Sequence, residues 1–229
     1  GIVFDISGMH AVEDYIVSRF QMYQQVYFHP VSRSMEVILN HLLQRAKDLS
    51  QAHKLKSALG TYYLKPFFEG QADLEAYLHL DDGVLNTCFE AWRDSDDEIL
   101  ADLASRFLDR HPFKSVKFTA TTANLLDPLR QMVAQAGFDP NYYTAENDSF
   151  DLPYDSYSSQ TDKGQIKLIQ KDGSLSELSA VSPLVLAITG KFLGDKRFFF
   201  PKEMLGTDAE VDLLVNPAFR THLKNDHLI

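Results

Sequence analysis

The sequence predicts a mainly α protein with a smaller α+β region toward its C-terminus. Three observations carry this. In the first half, apolar residues recur at helical spacing, most clearly as the stripe Met35, Ile38, Leu42, Ala46 and Leu49. Beyond the helical first half, residues 115–120 read as a strand by their β-branched and aromatic residues, and an Asp172-Gly173 pair separates two further short runs that read as strands. Of the 229 residues, 45% are hydrophobic and 24% charged, which is enough apolar surface to offset the entropy of ordering the chain.

Residues 8–28 predict a helix, with Val12, Ile16, Phe20 and Tyr23 at helical spacing. Pro30 ends it, because proline cannot donate inside a helix. Ser32 is a candidate N-cap for a long amphipathic helix running to about residue 58. Residues 60–70, around Pro66, predict a loop. Residues 74–79 and 83–92 predict short helices. Ser95 to Glu98 has the form of a capping box, with a helix following until Pro112.

Beyond that point the character changes. Residues 115–120 predict a strand and 124–136 a helix closed by Gly137. Residues 141–144 and 149–152 predict short extended pieces, and 146–164 a polar loop. Residues 165–178 predict a hairpin and 197–200 a strand before Pro201. The expected organisation is a helical region, 1–112, and an α+β region, 113–229, with a small antiparallel sheet.

The chain carries 22 Lys and Arg against 32 Asp and Glu, a net charge of -10. Such a surface repels duplex nucleic acid while permitting a local basic pocket. No apolar run approaches the ~18 residues that span a bilayer, so no membrane partner is expected. The single cysteine, Cys88, excludes an internal disulfide and fits a reducing, cytoplasmic setting. The opening GIVFD has neither an initiator Met nor a leader, and reads as the interior of a longer protein.

The eight histidines make no HxxxH, HxH or HExxH, and no local pattern supplies three converging metal ligands. There is no GxSxG, phosphate-binding loop or GxGxxG. Two constellations stand out. Tyr15, Arg19, Tyr23 and Tyr27 follow at intervals of four and share a helix face, where Arg offers a planar fork to phosphate oxygens and Tyr a ring to a sugar or base. A half-buried face with Arg19 paired to an acid such as Asp14 fits the same spacing. Arg110, His111 and Lys114 follow a helix C-terminus, where they suit either a phosphate or the helix dipole.

Read as strings, VEDYIVSRFQMYQQVYFHPVSRSMEVIL, FEGQADLEAYLHLDDGVLNTCFEAW, RHPFK, and QKDGSLSELSAVSP with FFFPKEM resemble one family. They are similar to the part that follows the catalytic core of HD-domain deoxynucleoside triphosphate triphosphohydrolases, both the bacterial dGTP-stimulated members and the vertebrate SAM-and-HD-domain enzyme. The resemblance covers essentially the whole chain. It implies an HD-type dNTPase fold whose catalytic HD core is largely missing here, since the family's metal ligands (a His, a His-Asp dipeptide and a later Asp) precede the matching segment.

By that resemblance, Arg19 matches an arginine that contacts substrate phosphates. Tyr27 matches a tyrosine against the sugar, and Tyr23 stands where the vertebrate enzyme has His. His29 matches an activator-pocket residue, although Pro30 replaces the vertebrate lysine beside it. Arg110 and Lys114 match the family's R-x-x-x-K pair, which binds an activating guanine nucleotide between subunits. The implied protein is a cytoplasmic homotetramer hydrolysing dNTPs to deoxynucleoside and triphosphate, with a divalent metal held outside this chain, and this chain alone inactive. The alternative is a non-catalytic nucleotide-binding or oligomerisation module.

Overall fold

The computed structural model describes residues 2–56, 61–151, 165–190, 193–206 and 215–229. The first strand, β1 (Phe4–Asp5), leads into α1 (Met9–Met22) and a π-helical turn, Tyr23–Tyr27. Then come α2 (Pro30–Gln51), α3 (Thr61–Phe68), α4 (Leu74–Leu78), α5 (Asp82–Arg93) and α6 (Glu98–Leu108). Next are β2 (Lys114–Lys117), α7 (Leu126–Gln135), α8 (Pro140–Tyr143) and β3 (Ala145–Asp151). The C-terminal portion holds β4 (Lys167–Ile169), β5 (Leu175–Glu177), α9 (Leu178–Val181), α10 (Pro183–Ile188) and β6 (Leu193–Phe200), followed by α11 (Val215–Thr221), β7 (Leu223–Lys224) and β8 (His227–Leu228). Among the described residues, no helix is long and apolar enough to cross a membrane.

The chain forms two compact units: residues 1–29 with 148–196, and residues 30–147 with 197–229. The change from helix to strand at 113 falls inside the second unit. The reason is a shared core: Phe113 and Val116 belong to the same apolar cluster as Val37 and Leu42 of α2.

In the first unit, β4 and β5 pair antiparallel across the Asp172-Gly173 turn. Gly173 sits at φ 81°, a region that favours glycine, and the Asp172 carboxylate accepts from the Ser174 N–H at 2.9 Å. β1 pairs parallel with β4, Phe4 opposite Leu168. Val12 and Ile16 of α1 pack with Leu168, Leu178 and Val185. The buried Glu13 carboxylate accepts from the Ser182 hydroxyl and lies 2.8 Å from His10 Nδ1. Those hydrogen bonds, with Ser182 first, hold its pKa below the usual carboxylate value.

In the second unit α2 is the spine. Ile38, Leu42, Ala46 and Leu49 are buried along one face, and each fully buried leucine contributes about 2 kcal/mol. α6 starts at Asp97, whose carboxylate accepts from the Leu100 N–H at 2.9 Å. The cap is therefore Asp97 and not Ser95, whose hydroxyl accepts from the Asp97 N–H instead. Arg45 clamps the same carboxylate from α2, with Nε at 3.0 Å and Nη2 at 2.6 Å.

Several expectations are corrected here. Residues 61–68 are helical despite Pro66: the local cost, about 3 kcal/mol, is offset because Leu64 and Phe68 reach the core beside Trp92. α2 ends at Gln51, with His53 left-handed just beyond it at φ 55°. Residues 140–143 form a helical turn, because Asp139 accepts from the Asn141 N–H at 3.0 Å and Pro140 suits a first helical position. Residues 146–151, the start of the expected polar loop, lie in strand β3, and 152–164 lie outside the described residues.

There are two sheets, not one, and both are mixed: a three-stranded sheet in the order β1-β4-β5 and a five-stranded sheet in the order β3-β6-β2-β8-β7. Parallel contacts arise where the chain ends return, β1 beside β4 and β8 beside β2. The pairing that positions the site below is β2 antiparallel to β6, Lys114 opposite Phe200.

Candidate functional site

The end of α6 builds a cationic cleft of about 450 Å³. The His111 N–H donates to the Arg106 carbonyl at 2.8 Å, closing the helix with Arg110 in the left-handed region at φ 56°. Glycine is the usual residue for that position. Pro112 follows, and β2 then begins at Lys114. Because Lys114 pairs with Phe200, the turn just after β6 carries Lys202 and Glu203 to the same cleft.

Arg106 forms the buried part of the cleft lining. Its Nε donates to Asp102 Oδ2 at 2.7 Å and its Nη2 to Glu203 Oε1 at 2.8 Å. Burial opposes its charge, and the two carboxylates more than offset that, so its pKa rises. The Tyr143 hydroxyl also donates to Asp102 Oδ2 at 2.7 Å, and burial, with the Asp102 charge, pushes its pKa far up. Arg106 thus engages both carboxylates of the cleft. Among the described residues, Arg110, Lys114 and Lys202 have no ion-pair partner, and Arg110 and Lys114 are exposed. On a chain of net charge -10, these three cations form a local attractor for an anion, and the Arg fork and Lys ammonium suit phosphate oxygens.

Arg19 lies in the last turn of α1 in the first unit. Its guanidinium sits over the Tyr23 ring, 4.7 Å from the centroid. Tyr23 in turn meets Tyr27 at 4.9 Å and Phe28 at 5.9 Å between ring centroids. The Phe28 N–H donates to the Tyr23 carbonyl at 2.8 Å, one residue further back than in an α-helix. The α-helical face expected to run from Tyr15 to Tyr27 therefore widens into a π turn at Tyr23, a feature frequent at functional sites. Tyr27 is exposed, Tyr23 half-buried, and His29 exposed. Arg19, Tyr23, Tyr27 and His29 belong to the first unit, Arg110 and Lys114 to the second.

Sequence reasoning did not single out Asp102, Arg106, Lys202 or Glu203. Lys202 lies 88 positions beyond Lys114, and only the β2–β6 register joins them. Among the described residues, no group of three His, Cys, Asp or Glu side chains is placed to hold a metal ion.

Residues 1–136 match the family model described as the HD associated region, and the chain belongs to that family. It is thus an HD-related protein. It is 42% identical over 207 residues to the uncharacterized protein YwfO of Bacillus subtilis, covering 89% of this chain and 48% of that protein. It is 30% identical over 189 residues to the uncharacterized MG461 homolog of Mycoplasma pneumoniae, covering 78% of this chain and 44% of that protein. The chain therefore spans about half the length of the curated relatives it matches. Its fold is similar to the crystal structure of a phosphohydrolase from Bacteroides thetaiotaomicron, with a TM-score of 0.70 at 21% identity over 87% of this chain and 52% of the other. A hypothetical protein from Aquifex aeolicus matches with a TM-score of 0.54 at 22% identity, over 88% of this chain and 44% of the other.

Proposed function

We propose that this chain is the C-terminal part of a cytoplasmic, metal-dependent HD-type phosphohydrolase that converts dNTPs to deoxynucleoside and triphosphate. The cleft of Arg110, Lys114 and Lys202 carries the reading, because an acidic chain concentrates there three cations that have no ion-pair partner among the described residues. It takes the phosphates of an activating guanine nucleotide. Arg19, with Tyr23 and Tyr27, faces the substrate, its charge set against the phosphates and the rings against the sugar. The divalent metal that would activate water belongs to residues outside this chain, and no chemical step is assigned to the residues here. Family membership and the shared fold support the HD relation; the dNTP substrate, the activation and the tetramer rest on the resemblance.

A nucleotide that binds only the assembled oligomer stabilises it by linkage. The test uses the protein from its full reading frame. Lys114→Ala leaves unstimulated dNTP turnover unchanged and shifts the dGTP dependence of tetramer formation, read by sedimentation, to at least tenfold higher dGTP, about 1.4 kcal/mol. An unchanged dependence removes the activator role. Tight dGTP binding without turnover of any dNTP favours the non-catalytic module.

A further inference from the structure

A separate depression of about 630 Å³, in the second unit, is lined by α3, α4 and the turn that joins them. Tyr62 and Tyr63 form its aromatic wall, with ring centroids 5.6 Å apart and planes at 80°. Tyr63 in turn lies 6.5 Å from the His79 ring. Both tyrosines are exposed. Around them stand three carboxylates, Glu69, Asp73 and Glu75, against one lysine, Lys65. Lys65 lies 3.7 Å from Glu69, His79 Nε2 lies 3.9 Å from Glu75, and Asp73 accepts from the Ala76 N–H at 2.8 Å. Each of these contacts uses one carboxylate oxygen. Beside the depression, α4 carries Leu74, Tyr77 and Leu78 at spacings of three and four, and all three are exposed. A helix that turns its apolar ridge to solvent, next to exposed aromatic rings, has the character of a contact surface.

We propose that this face docks a basic, arginine-bearing segment of a partner protein. Its guanidinium groups enter the tyrosine-lined depression, and its apolar side chains cover the ridge of Leu74, Tyr77 and Leu78. Charge complementarity selects this occupant. A guanidinium lies flat on a tyrosine ring and forks to a carboxylate at its edge, so one side chain uses both parts of the lining. Phosphate-bearing surfaces, whether nucleic acid or anionic lipid, meet three carboxylates and are repelled. A second copy of this chain brings its own net charge of -10, which opposes self-contact through an acidic face. A small polyamine neutralises the carboxylates but leaves the α4 ridge in water, whereas a peptide removes that apolar surface as well. Tyrosines make strong anchors at such contacts, since they bury a large ring while fixing few torsions. The inference stands apart from the cationic cleft and does not depend on what that cleft binds.

The experiment is fluorescence anisotropy of a short labelled peptide of alternating Arg and Leu, titrated with the protein from its full reading frame at physiological salt. The wild type binds the peptide saturably. Tyr62→Ala, at an exposed position, weakens binding about two- to fivefold through the lost ring. Glu69→Lys, just past the end of α3 where a lysine suits the helix dipole, turns an attraction into a repulsion and weakens it roughly tenfold. Glu36→Lys, an equal change of net charge at an exposed position of α2 outside the depression, alters it less than about twofold. Equal effects of Glu69→Lys and Glu36→Lys mean general attraction of a basic peptide to an acidic protein and overturn the proposal. So does unchanged binding by Tyr62→Ala, or no binding by the wild type. Displacement of the peptide by spermine at equal concentration overturns it in favour of a small-polyamine site. Self-association that Tyr62→Ala abolishes, read by sedimentation, overturns it in favour of a contact between copies.

Discussion

Arg110→Gly tests the account from two sides, because the same residue is strained in the backbone and cationic in the cleft. The left-handed conformation costs a residue with a Cβ about 1–2 kcal/mol. Glycine removes that strain but returns roughly 0.5–1 kcal/mol through the larger entropy of its unfolded state. The helix-closing bond from the His111 N–H to the Arg106 carbonyl involves no Arg110 side-chain atom and survives. The net expectation is a gain of about 0.5–1 kcal/mol, which for a chain of this length raises the melting temperature by about 1–4 °C. The lost guanidinium removes a charge-assisted hydrogen bond to phosphate worth about 1.5–3 kcal/mol, so tripolyphosphate affinity falls roughly 10–100-fold. Calorimetry reads both quantities on one preparation. A lower melting temperature refutes the strain argument, and unchanged tripolyphosphate affinity refutes the cleft.

Three further outcomes follow from the same geometry. Arg19→Ala in the protein from its full reading frame lowers dNTP turnover by about 100-fold or more, as loss of a positioned transition-state charge does; near wild-type turnover removes its role. Asp97→Asn keeps the helix cap but loses the Arg45 ion pair, at a cost of about 1 kcal/mol near neutral pH. Because the Arg45 hydrogen bonds hold the Asp97 pKa below its ordinary value, that stabilisation is present above the ordinary value and is lost as pH falls through the lowered one. Denaturant melts should therefore show wild type and variant converging as the pH falls below the ordinary aspartate range, and a gap that stays constant there contradicts the assignment. Burial pushes the Cys88 thiol up to about 11, so it stays unreactive toward a thiol reagent at pH 8 until the protein is unfolded; fast reaction of the native protein contradicts the buried position.

What was legible in the sequence depended on how local its cause was. The α2 stripe is a matter of period, and Ile38, Leu42, Ala46 and Leu49 are all buried. The β4–β5 hairpin is set by Asp172-Gly173, whose turn chemistry lies within the segment. The helix across Pro66 was not legible, because a proline signals a break locally while Leu64 and Phe68 find their partners far along the chain. β1 beside β4 joins Phe4 to Leu168, a pairing with no local signal. The same division runs through the site. Arg110 and Lys114 stood out by spacing and motif. Lys202 needed the β2–β6 register, and Arg106 needed Asp102 and Glu203 around it.

The most direct measurement is phosphorus NMR of the protein from its full reading frame incubated with a dNTP, a divalent metal and dGTP. The account predicts tripolyphosphate as the phosphorus product, with deoxynucleoside released in equal amount. Orthophosphate or pyrophosphate as the first product, or no turnover under any of these conditions, contradicts it.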